Sequence, residues 1–271
     1  MIHKTAIIDK EAKISENVQI GAYCVIGSNV TIGSNSKVHS HVNIVGNTTI
    51  GESNEVFPFS SIGTPPQDLK YKGEENSLII GDNNKFREYV NINPGTAQGG
   101  TVTKIGNNNL FMVYCHVAHD CHIEDNVVLA NNVQVGGHVY IQNNAIIGGS
   151  CAIHQFSRIG QSAMIGGMTG VLSDVIPFGL SLGNRNNLAG LNLIGLRRAG
   201  ISNENIKILQ NSYEIIFQSS NFRSNLENLD QKQKDNKYVK LIIFLTNSLS
   251  FISGLRLSIF DLKFSDLNIE S

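Results

Sequence analysis

Three histidines, an aspartate and two cysteines crowd into eight residues, Cys115-His116-Val117-Ala118-His119-Asp120-Cys121-His122. A histidine beside an aspartate suits general-base work, because the carboxylate fixes the tautomer and steadies the imidazolium formed on proton transfer. His119 and Asp120 are that pair. Thiol chemistry and metal chemistry compete with this reading. Cys24, Cys115, Cys121 and Cys151 form no CxxC pair, and they occupy repeat positions where small apolar residues fit, so all four read as core. Zinc takes His and Cys ligands. His116 and His122, however, fall on successive faces of the repeat described next and point about 120° apart on a three-sided coil. One chain therefore cannot chelate with both. A metal shared between subunits stays open, and no metal is expected of the chain by itself.

The scaffold that positions these residues is written in a period of six. Apolar residues recur every six positions from Ile2 to Ile62, resume in phase at Ile80, Phe86 and Ile92, slip by one, and run on from Ile105 to Val171. Six matches neither the helical period nor the strand period. It matches a short strand plus a tight corner, with one inward apolar residue on each face. Three faces close a triangular coil, and stacked coils pair as parallel strands around a column of Ile and Val. Glycine and asparagine relieve the backbone at the corners. The expected fold is an all-β solenoid, a parallel β-helix over residues 1–183, with a small α-helical C-terminal domain over 184–271. Two segments, 63–78 and 94–104, break the stack and are expected as loops on the binding side. In the tail, Ser202 is a plausible cap for a helix carrying Ile206, Leu209, Tyr213, Ile216 and Phe217 at helical spacing. Further helices are expected near 225–234 and 237–253, with their apolar stripes as core.

Folding the sequence onto coils collects the polar residues. Positions eighteen apart stack on adjacent rungs, roughly 4.8 Å from one another. His119 then lies under Gly137 and Gln155, Asp120 under His138 and Phe156, and Ala118 under Gly136 and His154. One patch gathers His119, Asp120, His138, His154 and Gln155, with His116 at its edge. Gly137 leaves its backbone N–H open to a ligand, as an oxyanion donor requires.

Composition narrows the partners. Lys+Arg 21 against Asp+Glu 22 gives a net charge of -1, which supplies no basic surface for nucleic acid or for a membrane. The longest apolar stretch, 241–252, is interrupted by Thr246, Asn247 and Ser248 and is too short and polar to span a bilayer. The first residues lack the apolar core of a signal peptide, so a reducing, cytoplasmic setting is expected.

The motifs now in hand resemble those of the UDP-N-acetylglucosamine O-acyltransferase family, which begins lipid A synthesis. The matching stretches are Gly63-Thr64-Pro65-Pro66-Gln67-Asp68-Leu69-Lys70-Tyr71, His116-Val117-Ala118-His119-Asp120-Cys121, Gly137-His138-Val139, His154-Gln155-Phe156 and Gly183-Asn184, with Asn192 and Arg197-Arg198. The resemblance covers nearly the whole chain and implies a left-handed β-helix. It implies transfer of a 3-hydroxyacyl chain from acyl carrier protein to the 3-hydroxyl of the sugar nucleotide, with no cofactor, metal or covalent acyl-enzyme. It makes His119 the base, Asp120 its orienting carboxylate and Gly137 N–H the oxyanion donor. Gln67, Asp68, Lys70, His116, His138, His154 and Gln155 become sugar-nucleotide or acyl contacts, and Asn192 and Arg198 contacts to the uridine and phosphate end. Sites in this family lie between subunits, so a cyclic homotrimer is implied. Gly167 resembles the position that gauges acyl length, with Met164 as groove floor, and a residue without a side chain there implies a long chain. Asn93, Pro94, Arg185, Ile194 and Ala199 depart from the residues that some members carry, which leaves a 3-amino sugar open as acceptor. The related N-acyltransferases carry an extra N-terminal domain, whereas the repeats here begin at Ile2. A non-enzymatic β-helix scaffold would need long Thr ladders, and the sequence has none.

Overall fold

The computed structural model describes residues 1–219 and 221–247. Among these residues three sheets of nine, eight and ten strands, parallel except for the last strand of the third, form the faces of a triangular prism. Along each rung the chain visits the first face (as in His116–Val117), the second (His122–Ile123) and the third (Val128–Leu129). Most strands are two residues long, the first pointing out and the second in. On the first face the inward column runs Ile26, Ile44, Ile62, Ile92, Val117, Val135, Ile153 and Val171, none more than 3 % exposed. This is the expected solenoid, and the hydrophobic effect along that column holds it together.

Register shows what the two interruptions are. Ile62 pairs with Ile92, thirty residues on, where ordinary rungs repeat at eighteen. Twelve inserted residues are two whole hexads, so the phase survives. Ile92 pairs with Val117, twenty-five residues on, and those seven extra residues produce the slip by one.

Corners demand left-handed backbone, which asparagine tolerates better than most residues. The vertex between the second and third faces accordingly carries Asn17, Asn35, Asn83, Asn108, Asn126 and Asn144 at positive φ. The vertex between the third and first faces instead carries Tyr23, His41, Phe59, Tyr89 and Tyr114. Their rings stack into one ladder with centroids 4.8–5.2 Å apart.

The third face ends in a hairpin. Gly179–Leu182 adds parallel to Met164–Ile165, and Asn187–Leu191 returns antiparallel. The helices α1 (Leu193–Arg198), α2 (Asn203–Phe217), α3 (Phe222–Glu227), α4 (Gln231–Asp235) and α5 (Lys237–Asn247) follow. Ser202 caps α2 as expected, accepting from Asn205 N–H. The single stretch expected at 225–234 is instead two helices, because Asp230 and Gln233 form a capping box that starts α4 afresh. Residues 248–253 of the last expected stretch lie outside the described residues. Phe178, Leu196, Ile206, Leu209, Ile216 and Val239 build a second core beneath these helices. No helix among the described residues is long and apolar enough to cross a membrane.

Candidate active site

The vertex between the first and second faces holds the expected dyad. His119 Nδ1 lies 2.7 Å from Asp120 Oδ2, with the imidazole nearly buried and the carboxylate fully so. Asp120 and His138 are both corner residues at positive φ, one rung apart. His138 N–H donates to His119 O at 3.0 Å, and Phe156 N–H to Gly137 O at 3.0 Å. The rungs therefore stack in the register the sequence implies. His138 meets His119 edge-on and lies flat against Phe156, with centroids 5.1 and 4.3 Å apart. Burial pulls His138 below its ordinary value against the pull of the Asp120 charge, with the His119 charge reinforcing it and Asp68 opposing it.

Gly137 fits against His119. A Cβ there would stand 2.6 Å from His119 Cε1 and 2.8 Å from Nε2, so any side chain would displace the imidazole. Among the described residues its N–H meets no acceptor.

The first inserted loop returns to this vertex and places Asp68 Oδ2 3.9 Å from His119 Nε2. The His119 imidazole thus lies between two carboxylates, Asp120 bonded to Nδ1 and Asp68 near Nε2. Lys70 reaches across to Gln98 in the second loop at 3.5 Å. A cavity of about 360 Å³ opens between the loops, lined by Asp68, Lys70, Tyr71, Thr96 and Gln98 among others. Gln67 is exposed beside it. Asn93 is 1 % exposed. Its Nδ2 donates to Thr64 O at 3.0 Å and Pro65 O at 3.3 Å, so it anchors the root of the first loop. His116 is tied by Nδ1 to Asn91 Oδ1 at 2.7 Å. His154 and Gln155 stand one rung beyond His138 and are exposed.

Sequence reasoning did not find Thr96 and Thr103. Thr96 N–H and Oγ1–H both donate to the Asp120 carboxylate, at 2.9 and 2.7 Å, and Thr103 Oγ1 accepts Asp120 N–H at 2.8 Å. The signal available was the glycine density of the second loop, since Gly95 and Gly99 press directly on Asp120.

His119, Asp120 and His138 offer ligand atoms within 4.8 Å of one another, a spacing a metal ion could use. Asp120 Oδ2, however, already serves both Thr96 Oγ1–H and His119 Nδ1. His116 and His122 lie on different faces. All four cysteines are free and buried. Burial pushes the Cys115 thiol up to about 11 and Cys121 up to about 12, out of reach of thiolate chemistry near neutrality.

Comparison with known proteins bears on this geometry. The family described as bacterial transferase hexapeptide (six repeats) matches residues 1–34, 11–46 and 103–137. The family described as UDP-N-acetylglucosamine O-acyltransferase, domain 2, matches residues 174–252. An acyl-[acyl-carrier-protein]–UDP-N-acetylglucosamine O-acyltransferase of Aliarcobacter butzleri is 49% identical over 91% of this chain and 95% of its own length. The chain belongs to the UDP-N-acetylglucosamine O-acyltransferase family. The crystal structure of the Moraxella catarrhalis UDP-N-acetylglucosamine O-acyltransferase superposes with a TM-score of 0.88 at 45% identity, covering 91% of this chain and 96% of that one. The Bacteroides fragilis acyltransferase does so at 0.88 and 41%, covering 91% and 97%.

The remaining family-implied residues are not brought to His119 within one chain. Asn192 caps α1 by accepting Gly195 N–H and donates to Ser162 O at 3.1 Å, which puts it at the vertex between the second and third faces. Arg198 is exposed in the last turn of α1. Gly167 is exposed in the corner after Met164–Ile165, at the vertex between the third and first faces. Leading to it, the outward residues of the third face form an apolar column, Leu110, Val128, Ile146, Met164 and Leu180, paired rung to rung. Three vertices of one prism thus carry three parts of one expected site.

Proposed function

We propose that the chain transfers a long 3-hydroxyacyl group from acyl carrier protein to the 3-hydroxyl of UDP-N-acetylglucosamine, the first step of lipid A synthesis. It does so as a cytoplasmic cyclic homotrimer and without a cofactor. The observation that carries the chemistry is the His119–Asp120 contact, with Nε2 facing the space beneath Asp68. Nε2 takes the hydroxyl proton as the oxygen attacks the thioester carbonyl carbon, while Asp120 holds Nδ1–H and steadies the imidazolium. Gly137 N–H meets the charge that develops on the carbonyl oxygen. Collapse expels the carrier thiolate, which takes the proton back from His119. Family membership supplies the substrates. Asp68, Lys70, Gln67, His116, His138, His154 and Gln155 are assigned to the sugar and acyl ends, and Asn192 and Arg198 to the nucleotide end, where a guanidinium suits phosphate.

The prism itself argues for more than one subunit. His119 lies on the vertex opposite the third face, and the apolar column of that face is the surface suited to an acyl chain. A second copy, set head-to-tail, can lay its third face beside this vertex, and three such contacts close a ring. The deciding experiment is an acyl-transfer assay with acyl carrier protein thioesters of graded length. UDP-N-acetylglucosamine and its 3-amino analogue serve as competing acceptors, alongside light scattering. Transfer to the 3-hydroxyl by a trimer is expected. A folded protein with no transfer to either acceptor overturns the reading, and an active monomer overturns the shared site.

A further inference from the structure

We infer that Thr96 is a positioning residue that aims the Asp120 carboxylate at His119, and that the second inserted loop exists to hold it there. The inference rests on the acyl-transfer reading above. A carboxylate removed from water must find donors in the protein. The Asp120 side chain is fully buried, and Thr96 itself is 2 % exposed. Thr96 N–H donates to Oδ1 at 2.9 Å and Thr96 Oγ1–H to Oδ2 at 2.7 Å. One residue therefore grips both oxygens, which fixes rotation about the Cβ–Cγ bond. The position left on Oδ2 is the one that His119 Nδ1 fills at 2.7 Å. His138 Nε2, at 3.9 Å from the same oxygen, is outside hydrogen-bond range.

The loop is built around that grip. Thr96 O accepts the N–H groups of Gly99 at 3.0 Å and Thr101 at 2.8 Å, closing a tight turn. A Cβ on Gly99 would stand 2.0 Å from Asp120 Cγ, and one on Gly95 2.7 Å from Oδ1, so the backbone packs on the carboxylate and leaves no room for water. Asp120 N–H is held from the far end of the loop by Thr103 Oγ1 at 2.8 Å. A rung of this prism closes without the seven extra residues, so their contacts with Asp120 give the insertion its purpose.

The test uses the intact enzyme and four variants: Thr96→Val, Thr96→Ser, Asp120→Asn, and Thr96→Val combined with Asp120→Asn. Valine keeps the shape and the N–H but removes the hydroxyl donor. A lost hydrogen bond to a charged group corresponds to roughly a 10–100-fold fall in kcat. The KM for the sugar nucleotide should hold, and Thr96→Ser should recover most of the loss. The double variant should be no slower than Asp120→Asn alone, because a residue acting through Asp120 has nothing left to position. Wild-type turnover in a folded Thr96→Val enzyme overturns the inference, as do losses that multiply in the double variant or appear in KM alone. If Thr96→Val does not fold, Thr96→Ala carries the same comparison. Absence of transfer by the unaltered chain instead counts against the reading on which this rests.

Discussion

His119 Nδ1 and Asp120 Oδ2 stand 2.7 Å apart at a corner that buries the carboxylate completely. Asp120 is left-handed, with φ 59°, so the two consecutive side chains leave a corner and not an extended strand. The pair is set by backbone geometry as well as by chemistry. His119→Ala should lower kcat by roughly 10²–10⁴, the usual contribution of a general base. Asp120→Asn should cost less, since it leaves the proton acceptor in place. Steady-state rates against a fixed thioester decide this, and a His119→Ala enzyme with normal turnover would remove the base from the mechanism.

Gly137 offers a sharper perturbation. A methyl group there would overlap the His119 ring, at 2.6 Å from Cε1. Gly137→Ala should therefore damage turnover through the base while leaving melting temperature near that of the unaltered chain, because the displaced group is a side chain at a vertex. A Gly137→Ala enzyme with full activity would show that the imidazole can move and still work.

The fold was legible because a solenoid writes its core at a fixed interval. Ile62, Ile80 and Ile92 kept phase because the first insertion is two hexads long. The patch around the dyad was legible for the same reason, as His119, Gly137 and Gln155 share one register. Thr96 was not, because the second loop has no period, and nothing in its sequence says which rung it folds onto. The ring ladder from Tyr23 to Tyr114 was also missed. Its members occupy the corner position, where an inward apolar count does not look, and the two insertions disturb their spacing. The break between α3 and α4 depended on one cap, Asp230, inside an otherwise helical composition.

A role for the thiols and a role for a metal make separate, measurable demands. Cys115, Cys121 and Cys151 donate to backbone carbonyls of the next rung at 3.0–3.1 Å, the behaviour of core residues. An enzyme with all four cysteines replaced by Ala or Ser should keep most of its turnover, with some loss of melting temperature. Exhaustive chelation should leave the rate unchanged. A cysteine-free enzyme that folds but is dead contradicts the base mechanism, and zinc-restored activity after chelation would assign a metal to His119, Asp120 and His138.

Stability should fall on the acid side. Burial pulls His116 below its ordinary 6.5, the Asn91 hydrogen bond opposes this, and the charge of His119 adds to it. His122 and His138 shift the same way, again mainly through burial. The unfolded chain binds more protons between the two values, so the stabilisation is full above pH 6.5 and is lost as pH falls through the folded-state values. Melting temperature should drop as pH falls below 6.5, and His116→Gln should flatten part of that drop. An identical pH profile for the variant would mean that His116 is not among the groups responsible.

Acyl length is where one glycine makes the most specific statement. Gly167 is exposed, its φ is outside the left-handed region, and a Cβ there would meet only Gly149, with O at 3.3 Å and N at 3.9 Å. A side chain can therefore be added without breaking the coil. Gly167 follows Met164–Ile165, the strand that carries the apolar column of the third face on to Leu180. A flexible thioether such as Met164 suits the floor of a groove that takes a chain. If an acyl group runs along this column, a large residue at 167 shortens the space available, while glycine leaves it open to a long chain. Each buried methylene is worth about 0.8 kcal/mol, so excluding two should change selectivity by about tenfold. The unaltered enzyme should prefer long 3-hydroxyacyl thioesters, and Gly167→Met should move the optimum to shorter ones with little change in melting temperature. Relative transfer rates across a length series measure this directly, and the same profile from both enzymes would put the gauge elsewhere on the prism.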